Sequence, residues 1–152
     1  MQRSVEKEKD AMPSVIAGAC RILVVDEHCD TRSFLAEQLR TMGIDAVLAQ
    51  DGVAGLSCIE ESLHGVPISG IIMQLHTFAM DKSHAFGYLR RRLPDLPVMV
   101  IAGIDQIEDL RHAVTLGARE YVVKPFDSEL LRRKCVRVFL GGVSKLGVGV
   151  RP

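Results

Sequence analysis

The sequence predicts an α/β protein with a doubly wound, parallel sheet. Three observations carry that expectation. Short runs that are apolar at every position recur along the chain. Segments of helical length, with apolar residues on one side, lie between them. The two alternate five times, in the order βαβαβαβαβα, from Cys20 to about residue 140. A strand that is apolar throughout is buried on both faces, as strands are when helices cover both sides of a parallel sheet. A length of 152 residues fits one such domain.

The elements follow in order. Ile22-Leu-Val-Val25 is the first strand, broken by Asp26-Glu-His-Cys-Asp30. The next helix places Phe34, Leu35, Leu39 and Met42 inward, and Gly43 stops it. Ala46-Val-Leu-Ala49 is the second strand. Asp51-Gly52 turns the chain into a helix carrying Leu56, Ile59 and Leu63 at helical spacing. Residues 68–73 form the third strand, and 75–82 read as irregular. A helix with Phe86, Leu89 and Leu93 then ends at Pro94, where proline stops it. Pro97-Val-Met-Val-Ile-Ala102 is the fourth strand. Asp105 is the expected cap of the following helix, with Glu108 reaching back to it and Ile107, Leu110 and Val114 facing inward; Gly117 stops it. Tyr121-Val-Val123 is the fifth strand. Asp127 caps a last helix in which Leu131, Cys135 and Val138 share a face. This divides the chain into an N-terminal extension (1–19), a domain (20–140) and a glycine-containing flexible tail or linker stump (141–152).

Composition narrows the function. Nineteen basic and nineteen acidic residues give zero formal charge, against the basic excess that favours nucleic acid or an acidic membrane surface. At 47% hydrophobic and 25% charged, the chain has the make-up of an ordinary globular protein. Cys20, Cys29, Cys58 and Cys135 form no C-x-x-C pair and read as reduced, buried thiols. No apolar run has the length of a membrane span, and the charged N-terminus lacks the apolar stretch of a secretion signal. A cytoplasmic protein is expected.

In a doubly wound sheet, sites form at the carboxyl ends of the strands. The residues there are Asp26, Glu27, Gln74, Ala102 and Lys124. No glycine-rich phosphate loop follows any strand. Asp26 and Glu27 suit a hard cation such as Mg²⁺; no distant histidine pair completes a zinc site, and His28 and His76 read as solvated loop imidazoles. Ser83 beside His84 and Cys29 beside His28 are chain neighbours, which is not the geometry that activates a nucleophile. The runs Arg90-Arg-Arg92 and Arg132-Arg-Lys134 lack the interleaved aromatic residues of a single-strand platform and read as solvated helix faces.

Arg21-Ile-Leu-Val-Val-Asp-Glu27, Pro97-Val-Met-Val-Ile-Ala-Gly103 and Gly117-Ala-Arg-Glu-Tyr-Val-Val-Lys-Pro-Phe-Asp127 make residues 20–140 resemble a response-regulator receiver domain. The resemblance implies a flavodoxin-like sheet in the order 2-1-3-4-5 and a role in two-component signalling. It implies that Asp26 and Glu27 are the acidic pair that holds Mg²⁺, that Lys124 pairs with the phosphoryl group, and that Tyr121 is the aromatic switch. Two positions depart from the family. With Met80-Asp81 fixing the register, Gln74 falls where the family has its phosphoacceptor aspartate, and Ala102 falls where it has Thr or Ser. An amide cannot form an acyl phosphate.

The resemblance and its departures together imply an atypical receiver, or pseudoreceiver, that is not an enzyme. It would require no cofactor and bind Mg²⁺ weakly. Lys124 would contact Asp26 or Glu27 directly, or these residues would merely satisfy each other in a decayed site. Tyr121 would have room to sit inward over Ala102, fixing one signalling state. The domain would dock a protein partner or a second copy through its fourth helix, fifth strand and fifth helix, with Arg111, Arg119, Arg133 and Arg137 on that side. It would bind neither nucleic acid nor membrane. The alternative is the N-terminal regulatory domain of a DNA-binding response regulator whose output domain lies outside this chain. Phosphotransfer to His76, Thr77 or Asp81 is a third reading, weakened because these lie beyond the strand end.

Overall fold

The computed structural model describes residues 20–79, 88, 91–115 and 117–141. The extension 1–19, Met80-Asp81, the Ser83–His84 pair and the tail from 142 lie outside the described residues. Most of the helix expected before Pro94 does too, although residues 88, 91 and 92 are helical. Five strands, β1 (Arg21–Val25), β2 (Asp45–Ala49), β3 (Gly70–Gln74), β4 (Val98–Ala102) and β5 (Glu120–Val123), form one parallel sheet in the order β2-β1-β3-β4-β5. The helices are α1 (Cys29–Thr41), α2 (Gly52–Ser62), α3 (Leu75–Ala79), α4 (Ile107–Thr115) and α5 (Ser128–Phe139).

The apolar strands bury both faces, so the core has two halves. Leu23, Val25, Ile71, Met73, Val98 and Val100 face Ile59 of α2, Leu75 of α3 and Leu110 and Ala113 of α4. Ile22, Val24, Ile72, Met99, Ile101 and Val122 face Leu35 and Leu39 of α1 and Leu131 and Cys135 of α5. α5 sits close on β3: a Cβ at Gly70 would lie 2.4 Å from a ring carbon of Phe139, so any larger residue there would have to push that ring aside. Gly43 and Gly117 have φ of 79° and 107° and end α1 and α4 as expected. Asp51 and Asp127 cap α2 and α5, each accepting from a backbone N–H at 2.8 Å.

Several expectations need correction. The stretch after β3 is helical at once, as α3, rather than irregular. Asp105 is not a cap. It lies inside a short 3₁₀ turn (Ile104–Gln106), where the Gly103 N–H donates to Gln106 Oε1 at 2.6 Å. Phe34, Leu63, Ile107 and Val114 are exposed, and Leu63 lies just past the end of α2. Cys29 is exposed, unlike the buried Cys20 and Cys135. Burial, with Cys20 close by, pushes the Cys135 thiol up to about 12.

Candidate functional site

The strand register sets the site. Val25 pairs with Met73, Gln74 with Ile101 and Ala102 with Val123, so Asp26, Gln74, Ala102 and Lys124 lie along one edge of the sheet. The reversal of strand order falls between β1 and β3, where doubly wound sheets open a crevice.

Asp26 follows β1 and is 1% exposed. Its N–H donates to Ala49 O at 3.1 Å. Its Oδ1 accepts the His28 N–H at 2.8 Å, and its carbonyl accepts from Arg32 Nη1 at 2.5 Å. Its Oδ2 is buried with no hydrogen-bond partner. A buried carboxylate oxygen without a partner is costly and calls for a donor or a cation. Glu27 is largely exposed beside it. The His28 side chain is 66% exposed, as a solvated loop imidazole should be, and its ring lies between the carboxylates: Nδ1 is 3.4 Å from Asp26 Oδ1 and Nε2 is 3.8 Å from Glu27 Oε2.

Gln74 ends β3 and begins α3. Its Oε1 accepts the Thr77 N–H at 3.0 Å, so the side chain serves as the helix cap. This explains why a helix replaces the irregular stretch expected after β3. Ala102 ends β4 and is fully buried. Its carbonyl accepts the Lys124 N–H at 2.8 Å. Lys124 precedes a cis peptide bond to Pro125 and is exposed. The expected Lys124–carboxylate contact does not form: among the described residues Lys124 makes no ion pair with Asp26 or Glu27, whose polar contacts go to His28 and Arg32.

Tyr121 also departs from expectation. Its ring points outward, 41% exposed, despite the room left by the Ala102 methyl. What holds it is a network absent from the sequence reading. The Lys134 ammonium lies 4.6 Å from the ring centroid and donates to Tyr121 O. It also donates to Glu120 Oε1 at 3.2 Å, and Arg137 pairs with Glu120 Oε2. Burial works to raise the pKa of Glu120. Hydrogen bonds from the Tyr121 N–H, Arg137 and Lys134 outweigh it and hold the carboxyl below its ordinary value. Lys134 lies 14 residues from Glu120 and on another element, so no periodicity announces the pair.

Magnesium prefers carboxylate oxygens and keeps several waters. The free, buried Oδ2 of Asp26 fits that preference, with Glu27 next to it. No cluster of three His, Cys, Asp or Glu side chains suited to a metal occurs among the described residues. Gln74 directs its amide oxygen to Thr77 instead. The ligand set is therefore partial. Among the described residues, no helix is long and apolar enough to cross a membrane.

The sheet order, the acidic pair after β1 and the lysine after β5 define a signalling module of the receiver type. Residues 22–135 match the family model of the response regulator receiver domain, and the chain belongs to that family. It is 30% identical over 120 residues to an NtrX-like response regulator of Rickettsia bellii, covering 75% of this chain and 24% of that protein. It is 32% identical over 114 residues to the response regulator MprA of a Mycobacterium species, covering 74% of this chain and 48% of that protein. The crystal structure of NtrX from Brucella abortus in complex with ADP superposes with a TM-score of 0.72 at 26% identity, covering 84% of this chain and 29% of that one. The chain thus spans a quarter to a half of the length of these curated relatives.

Proposed function

We propose that this chain is a receiver that signals without phosphorylation at the end of its third strand. The carrying observation is Gln74: an amide stands at that strand end, and its oxygen is committed to the Thr77 N–H. A phosphoryl group needs a carboxylate there to form an acyl phosphate. Ala102 brings no hydroxyl to stabilise one, and Lys124 has no anion to hold among the described residues. Mg²⁺ is not required for this role. Asp26 and Glu27 would hold it weakly, where it would supply positive charge to an anionic ligand in the crevice. The module works by binding in the cytoplasm, and it is not an enzyme.

The binding face is α4, β5 and α5. Ile104, Ile107, Val114 and Tyr121 expose apolar surface there. Arg111, Arg119, Arg133 and Arg137 lie around it, exposed. An apolar centre with a charged rim suits a second copy or a protein partner. Sedimentation velocity of the chain and of Ile107→Glu tests this face, each with and without acetyl phosphate and Mg²⁺. A self-associated or partner-bound state that Ile107→Glu disrupts and acetyl phosphate leaves unchanged supports the proposal. A state that forms only with acetyl phosphate opposes it.

A second reading is favoured by one observation, the short share of the relatives that the chain covers. On that reading the domain is the regulatory part of a longer, DNA-binding response regulator. The reading of the site is the same in either case.

A further inference from the structure

The sheet has two edge strands, β2 and β5, and their outer backbones differ. At β5 side chains take the outward groups: the Tyr121 N–H donates to Glu120 Oε1 at 2.8 Å, and Tyr121 O accepts from Lys134 Nζ. An edge engaged in this way is closed to a further strand. At β2 the Asp45 N–H donates to Cys20 O and Ala49 O accepts the Asp26 N–H, each at 3.1 Å, so residues 45 and 49 turn their backbone toward β1. Alternation turns the N–H and C=O groups of Ala46 and Leu48 outward, and among the described residues nothing bonds to them. The strand, Asp45-Ala-Val-Leu-Ala49, carries none of the lysines or prolines that commonly guard an edge.

Beside this edge, between β2 and the end of α1, lies a hollow of about 530 Å³ with Ala36, Arg40, Gly43, Ala46 and Leu48 on its walls. Leu48 is 43% exposed on its rim. Val47 points the other way, toward the core half under α2.

We infer that β2 pairs antiparallel with β2 of a second copy, joining two five-stranded sheets into one about a two-fold axis at Val47. The side chains select that register. Centred on Val47, Leu48 of each copy stands opposite Ala46 of the other, on the hollow side of the strand. A large side chain thus meets a small one beside each hollow, and each facing pair exchanges both N–H···O bonds. Centred on Leu48, Asp45 would face Asp51 of the other copy, a like-charge pair. Centred on Ala46, Leu48 would face Ile44, whose side chain is already buried in its own core. The Val47 register also sets Gly43 opposite Asp51, which brings the exposed Arg40 end of one strand to the exposed Asp51 end of the other. That complementary charge favours a second copy as the occupant. This interface is separate from the α4, β5 and α5 face, and the closed β5 edge cannot replace it.

Oxidative cross-linking of the full chain tests the register. Ile107→Glu removes association through the other face, and Cys29→Ser removes the exposed thiol. In that background Val47→Cys, a near-isosteric change, places two thiols on the axis at a Cα separation of about 4.5 Å, within disulfide reach. Leu48→Cys is the more exposed thiol, but it lies diagonally from its twin at about 7–8 Å, beyond that reach. With copper phenanthroline as oxidant, intact mass should show a covalent dimer for Val47→Cys and little for Leu48→Cys. Adding Leu48→Lys to Val47→Cys should slow cross-linking about ten-fold or more, the loss of one well-packed apolar contact at an interface. A folded Val47→Cys chain that stays monomeric would overturn the inference. So would Leu48→Cys cross-linking as fast as Val47→Cys, or a rate that Leu48→Lys leaves unchanged. Sedimentation velocity of Ile107→Glu with and without Leu48→Lys reads the same interface without a new thiol. A dimer affinity at least about ten-fold weaker with Leu48→Lys is expected, and equal sedimentation of the two would overturn the inference.

Discussion

Replacing Glu120 with alanine should cost the fold about 2–3 kcal/mol at neutral pH, because one carboxylate anchors three donors. The side chain is 13% exposed, and its Lys134 partner is 18% exposed. A hydrogen bond to a charged group contributes about 1.5–3 kcal/mol, and most of the loss comes from the Lys134 ammonium left half-buried without its anion. The Arg137 arm is exposed and adds only about 0.3–1 kcal/mol. At roughly 3–5 °C per kcal/mol for a domain of this size, Tm should fall by about 6–15 °C.

The pH dependence gives the sign. The folded pKa of Glu120 lies below its unfolded value. Its contribution is therefore full above the unfolded carboxyl range, about 4.3, and is lost as pH falls through the lower folded value. Urea unfolding of the chain and of Glu120→Ala at pH 7 and in acid measures both effects. A difference at pH 7 below about 0.5 kcal/mol, the range of an ordinary surface substitution, would refute the reasoning. So would a gap that widens as the pH drops.

Three further outcomes are expected. Gly70→Ala should destabilise the fold by about 1–3 kcal/mol by overpacking against Phe139, and Phe139→Leu in the same chain should recover much of the loss in urea unfolding. Mg²⁺ should raise the Tm of the unaltered chain slightly, and Asp26→Asn should abolish that rise, since the free Oδ2 is the only buried side-chain oxygen or nitrogen without a partner among the described residues. In Gln74→Asp, labelling by acetyl phosphate should be slow. Adding Ala102→Thr should speed it about ten-fold or more, the worth of one hydrogen bond to a charged group.

The fold was legible because it rests on local signals. Apolar runs marked strands, Gly43 and Gly117 marked helix ends, and Asp127 marked a cap; each acts within a few residues of itself. Ile107 and Val114 were misplaced because a heptad spacing is shared by the core stripe and by its exposed margin. At the site, the sequence identified Asp26, Glu27, Gln74, Ala102 and Lys124 as strand-end residues, and the register brings these ends to one edge. It did not disclose how their side chains are used. That Gln74 caps α3, that His28 bridges the acidic pair and that Lys134 holds Tyr121 outward are decided by rotamers and by contacts between distant elements. The expected Lys124–carboxylate pair came from the receiver resemblance and the loss of the aspartate at Gln74. In the structure Asp26 Oδ1 takes the His28 N–H and Oδ2 has no partner, while Lys124 is exposed, so the pair does not form.

The central claim is that no phosphoryl group is accepted at the end of β3. Intact mass of the unaltered chain after incubation with acetyl phosphate and Mg²⁺, beside Gln74→Asp treated in the same way, tests it most directly. The account predicts an unchanged mass for the unaltered chain and a partial phosphoryl gain for Gln74→Asp. A stoichiometric phosphoryl gain on the unaltered chain would contradict it.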